Sequence, residues 1–94
     1  MCRRCSIMPY ENEAQVVEMA NDTVYGLAGY VQSGDLAHAR RMASELRAGQ
    51  INLNGAAGDM AAPFGGYKQS GIGRELGKHS IELYTQIKSV YVKL

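Results

Sequence analysis

Two stretches of helical periodicity, each set between short apolar runs, constrain this chain more than any other feature. Glu11 to Asn21 carries acids at its start and then Ala14, Val17 and Ala20 at helical spacing. Asp35 to Leu46 aligns Leu36, Ala39, Ala43 and Leu46 on one stripe, with Asp35 placed to cap it and Gly49 placed to stop it. Ser6 to Met8, ended by Pro9, Leu27 to Gln32 and Gln50 to Asn54 read as strands around them. Strand, helix, strand, helix, strand predicts right-handed crossovers and parallel pairing, so the fold class is α/β with a partial parallel βαβαβ layer. After a long glycine-rich loop, Glu75 to Tyr84 returns to a helical pattern, and Val90, Val92 and Leu94 alternate as a terminal edge strand. A parallel sheet needs both faces covered, yet three short helices are on offer. The chain therefore reads as part of a larger fold.

The loop, Gly55 to Arg74, contains the densest signal: residues 63 to 75 read PFGGYKQSGIGRE, with four glycines. Glycine clusters often cradle phosphates, but the chemistry-bearing residues are missing here. Gly66 and Gly71 have the spacing of a phosphate-binding loop, with Ile72 where the lysine must stand. Gly71, Gly73 and Gly77 give G-x-G-x-x-x-G, and no buried strand precedes them, so the dinucleotide fingerprint fails as well. Gly55-Ala-Ala-Gly58 matches an RNA-binding G-x-x-G but is followed by Asp59.

Charge narrows the classes further. With 10 basic and 9 acidic residues, net +1, the chain has no electrostatic footprint for nucleic acid or an anionic membrane. No apolar run approaches the ~20 residues of a membrane span, and no apolar stretch follows the charged amino terminus, which predicts a cytoplasmic protein. Cys2 and Cys5 form a lone C-x-x-C, and His38 and His79 stand apart. A zinc site needs four ligands, so a small redox or metal protein is an alternative without a second half.

Taken together, ANDTVYGLAGYVQS (20 to 33), LRAGQINLNG (46 to 55), APFGGYKQSGIGRELG (62 to 77) and YTQIKSV (84 to 90) resemble the carboxy-terminal part of aldehyde dehydrogenases. The wording is most similar to betaine-aldehyde and related broad-substrate members. The resemblance implies an NAD- or NADP-dependent enzyme, several times longer than this chain, that oxidises aldehydes to acids. In it a cysteine nucleophile attacks the aldehyde, hydride passes to nicotinamide, and water hydrolyses the thioester. Residues 1–84 would belong to the catalytic domain and 85–94 to an oligomerisation strand, with Lys88 to Leu94 facing another subunit.

Site residues follow from the same resemblance. Phe64 matches an aromatic lining the aldehyde tunnel, where a rigid ring suits an alkyl chain and excludes water; the plainer reading is a loop phenylalanine pinning its own segment. Glu75 matches a glutamate on a proton path to the general base, and is otherwise a first-turn glutamate favoured by the helix dipole. The carbonyls of Lys68 and Gly71 match a monovalent-cation site. Gly65 and Gly66 are conformational, letting the loop turn without Cβ clashes. Tyr25, Gly26, Tyr84 and Tyr91 are read as packing. The match breaks down at the amino terminus: Met1-Cys2-Arg3-Arg4-Cys5 stands where the family has a ribose-binding glutamate, and neither cysteine is at the nucleophile's place. Lacking nucleophile, base and cofactor domain, the chain is expected to be inactive alone. A strand-mediated interaction module is the remaining alternative.

Overall fold

The computed structural model describes residues 5–94, so the Cys2 half of the C-x-x-C lies outside the described residues, and Cys5 is an exposed free thiol. The chain runs α1 (Glu13–Asn21), β1 (Tyr25–Gly26), β2 (Ala28–Val31), α2 (Leu36–Glu45), β3 (Gln50–Leu53), β4 (Tyr67–Lys68) and α3 (His79–Leu83). One crossover unit is complete: β2 and β3 pair in parallel, Ala28 opposite Gln50 through Val31 opposite Leu53, with α2 packed against both. The α/β class expected from the alternating pattern holds.

Local chemistry sets the helix ends. The Asn12 side chain accepts the Gln15 amide at 2.9 Å and caps α1, while Gln15 Oε1 accepts the Glu11 amide at 2.6 Å, one residue before the cap. Asp35 caps α2 as its position predicts, accepting from the Ala37 and His38 amides. The stop of α2 differs from expectation. It comes at Glu45, and the α1 residue Asn21 caps it across 24 positions: Asn21 Nδ2 donates to the Glu45 carbonyl at 2.9 Å, and Asn21 Oδ1 accepts the Arg47 amide at 2.8 Å. Gly49 has another task, described below. At the far end of the ladder Asn54, at φ 51°, offers its amide side chain to both backbone groups of Ser33. The Asn54 backbone amide donates to the Val31 carbonyl at 2.9 Å and continues the parallel pairing past Leu53.

Three expected elements change. Ser6–Met8 and Lys88–Leu94 form no ladder, because a strand needs a neighbour and the two described sheets are β1–β4 and β2–β3. The helix expected over 75–84 is shortened to His79–Leu83. Leu76 and Gly77 adopt left-handed conformations (φ 63° and 62°), which turns the chain before it can coil. Instead, β1 pairs antiparallel with β4, Tyr25 opposite Lys68, tying the glycine loop to the first half of the chain.

Little of this is buried. Ala39, on α2, is the one fully buried apolar side chain among the described residues. The chain exposes 8386 Å², whereas a self-contained monomer of its mass exposes about 5,300 Å². Its radius of gyration is 18.4 Å against about 12 Å for a compact domain of this length. Ile87 and Tyr91 are 98% and 92% exposed. The excess, roughly 3,000 Å², is well above the ~800 Å² one partner gives to a standard interface. The physical inference is a chain shaped to be covered.

Candidate functional site

The glycine loop folds back on itself and builds an open cavity of about 400 Å³, whose walls include Leu27, Phe64, Gly71, Arg74, Glu75 and Tyr84. Its key join is an isolated antiparallel bridge. The Phe64 amide donates to the Glu75 carbonyl at 2.7 Å, and the Glu75 amide returns a bond to the Phe64 carbonyl at 2.8 Å. Two residues expected at the site from the sequence, eleven positions apart, are thereby held side by side on the same wall. Phe64 is half-buried and Glu75 exposed. The first-turn reading of Glu75 is corrected: it sits in extended backbone, four residues before α3.

Lys68 and Gly71 are less closely joined to the cavity. Gly71 contributes to its wall and Lys68 does not. Their backbones meet across one turn, where the Gly71 amide donates to the Lys68 carbonyl at 3.2 Å. The Lys68 ammonium crosses to the end of α1 and donates to the Asn21 and Thr23 carbonyls at 2.7 and 2.9 Å. A cation there satisfies acceptors the helix leaves open and complements its dipole. Among the described residues, no three His, Cys, Asp or Glu side chains gather as a metal site.

Close backbone approach accounts for the glycines in this fold. A Cβ on Gly49 would overlap the Gly65 carbonyl, and one on Gly65 would overlap the Gly73 carbonyl and the Arg74 side chain. The space beside these glycines is occupied by the loop itself. Gly71 and Gly73 face open space, but they lead into the Phe64–Glu75 bridge, with no helix N-terminus following. The glycines of this loop therefore do not make the succession of strand, glycine turn and helix start on which a dinucleotide pyrophosphate rests.

Sequence reasoning missed Arg74, although it does most to hold the loop. Its Nη1 donates to the Gly66 and Gly73 carbonyls at 2.8 Å and to Ile72 at 3.3 Å, and its guanidinium lies 5.5 Å from the Tyr67 ring centre. The signal was indirect: an irregular loop leaves carbonyls without ladder partners, and arginine is the side chain with donors enough to serve several. Ser70 was missed as well; its hydroxyl accepts the Gly26 amide at 3.0 Å.

A sequence model described as the aldehyde dehydrogenase family matches residues 5–90. A 3-succinoylsemialdehyde-pyridine dehydrogenase from a Pseudomonas species is 57% identical over 84 residues, which cover 89% of this chain and 18% of that protein. The Bacillus subtilis betaine aldehyde dehydrogenase is 49% identical over 87 residues, 92% of this chain and 18% of that protein. Among solved structures, an NAD+ complex of a Mycobacterium tuberculosis aldehyde dehydrogenase superposes with a TM-score of 0.86 at 44% identity, over 92% of this chain and 18% of that one. The chain thus spans about 18% of the length of the relatives it matches. A match across nearly all of its residues, in sequence and in fold, places the chain in the aldehyde dehydrogenase family.

Proposed function

We propose that this chain supplies one wall of the aldehyde site of an NAD(P)-dependent dehydrogenase that oxidises an aldehyde to a carboxylic acid, and that it performs no reaction alone. The observation that carries this reading is the Phe64–Glu75 bridge, which puts an aromatic ring and a carboxylate on one cavity wall. Phe64 lies against the alkyl part of the aldehyde and keeps bulk water from the reacting carbon. Glu75 passes a proton between that site and solvent, for which its carboxylate needs shielding by other parts of the enzyme. The backbone oxygens of Lys68 and Gly71 take a monovalent cation; one lone pair of the Lys68 carbonyl is already engaged by Gly71. The dinucleotide and the nucleophile are assigned to other segments of the enzyme; the glycine loop of this chain lacks the strand, turn and helix succession that cradles the first.

In the same reading residues 85–94 form a separate strand, and Lys88–Leu94 adds it to the sheet of another subunit. The exposed alternation of Val90, Val92 and Leu94 supports that use. No helix among the described residues is long and apolar enough to cross a membrane. A cytoplasmic location is part of the proposal and rests on the composition. The test is turnover: the purified chain, mixed with NAD or NADP and a panel of aldehydes, is expected to form no reduced cofactor. Sustained, aldehyde-dependent reduction overturns the proposal.

A further inference from the structure

Beside the Phe64–Glu75 cavity lies a second one of about 350 Å³, lined by Arg47, Gly66, Tyr67, Lys68, Ile72 and Arg74. Three residues with cationic side chains are among those lining it, and none with a carboxylate is. Both ion pairs among the described residues belong to Glu13 on α1, so none of the three cations is neutralised by a described acid. Their donors are also incompletely used. Arg74 engages carbonyls through Nη1 alone, which leaves Nε and Nη2 without a protein acceptor among the described residues. The Arg47 side chain makes no hydrogen bond among them, although its backbone amide is held by Asn21. Lys68 keeps one of its three ammonium protons. Like charges gathered in a concavity with low-dielectric walls favour an anion. The remaining wall is apolar: Ile72 is 90% exposed, and the Tyr67 ring is held in place by the Arg74 guanidinium. A compact hydrated anion makes no use of that surface, whereas an apolar stem covers it.

We propose that this cavity binds an organic carboxylate carried on an apolar stem of a few carbons, its oxygens on the Arg47 and Arg74 guanidinium forks and its stem over Ile72 and Tyr67. The planar fork takes a carboxylate with two parallel bonds, and since it would take a phosphate in the same way, the apolar wall of Ile72 and Tyr67 is what favours an anion carrying a stem. This site adjoins the proposed aldehyde wall and shares Gly66 and Arg74 with it, but it also needs Arg47, Tyr67 and Ile72, which do not line that cavity.

Titrating the isotope-labelled chain with hexanoate, and following backbone amide resonances, tests it. Hexanoate is expected to give saturable shifts at Tyr67, Ile72 and Arg74, with hexanol and inorganic phosphate at least tenfold weaker. Arg47→Gln, which removes a side chain with no hydrogen-bond partner among the described residues, is expected to raise the hexanoate Kd about tenfold. No saturable shift, equal binding of hexanol, equal binding of phosphate, or an unchanged Kd in R47Q each overturns the proposal.

Discussion

Adding one methyl group at Gly49 separates a loop packed on its own backbone from a loop held open for a ligand. In Gly49→Ala the new Cβ overlaps the Gly65 carbonyl oxygen. Both partners are main chain, so no side-chain rotation relieves the clash, and the start of β3 must move away from the glycine loop. Two bonds fix that start: Gly49 donates to the Gly26 carbonyl at 3.0 Å, and Gln50 to the Leu27 carbonyl at 3.1 Å. Each is worth about 1 kcal/mol net, and more where a donor is left without a partner. The expected destabilisation of this join is therefore about 2–3 kcal/mol. In hydrogen exchange that is roughly 30- to 150-fold faster exchange at the Gly49 and Gln50 amides. Gly73→Ala is the control. It sits in the same motif, but a Cβ there meets nothing within 4 Å, so protection at Gly49 and Gln50 is expected to stay within about threefold of the parent. If G49A exchanges as slowly as the parent chain, the close approach of the two backbones is wrong, and so is the account of the glycines.

Two other outcomes follow from the same geometry. Asn21→Ala removes both bonds that cap α2 and leaves the Arg47 amide unpaired; we expect about 2 kcal/mol of destabilisation, read as a lower denaturation midpoint, and Asn21→Asp, which keeps the acceptor alone, should recover about half. The exposed apolar tail should drive self-association: light scattering on the eluting chain at micromolar concentration should report a dimer or larger, and truncation after Thr85 should shift it toward monomer, whereas a monomeric full-length chain would count against strand addition.

What could be read in the sequence was the part governed by local rules. The helical stripes, the Asp35 cap and the parallel crossover through α2 follow from spacing and turn chemistry, and they formed as expected. The parts that resisted depend on residues far apart in the chain. Asn21 closes a helix 24 positions away, Lys68 closes another 47 away, and Gly49 is a glycine because of residue 65. No periodicity carries such information. Phe64 and Glu75 could be named from their motif, but the bridge joining them competes with a helical pattern at Glu75–Tyr84 that looked sufficient on its own. Left-handed Leu76 and Gly77 decide that competition, and a leucine in that conformation gives no warning in sequence. The end segments were expected as strands, Ser6–Met8 from its apolar run and Val90–Leu94 from alternation, but neither pairs among the described residues, because strand formation is a property of two segments.

The central claim is that this member of the aldehyde dehydrogenase family lines a substrate site without holding the coenzyme. Calorimetric titration of the chain with NAD and with NADP addresses it most directly. The glycine loop, filled by its own carbonyls and by Arg74, predicts no binding heat up to millimolar dinucleotide; saturable one-to-one binding with a micromolar Kd would contradict it.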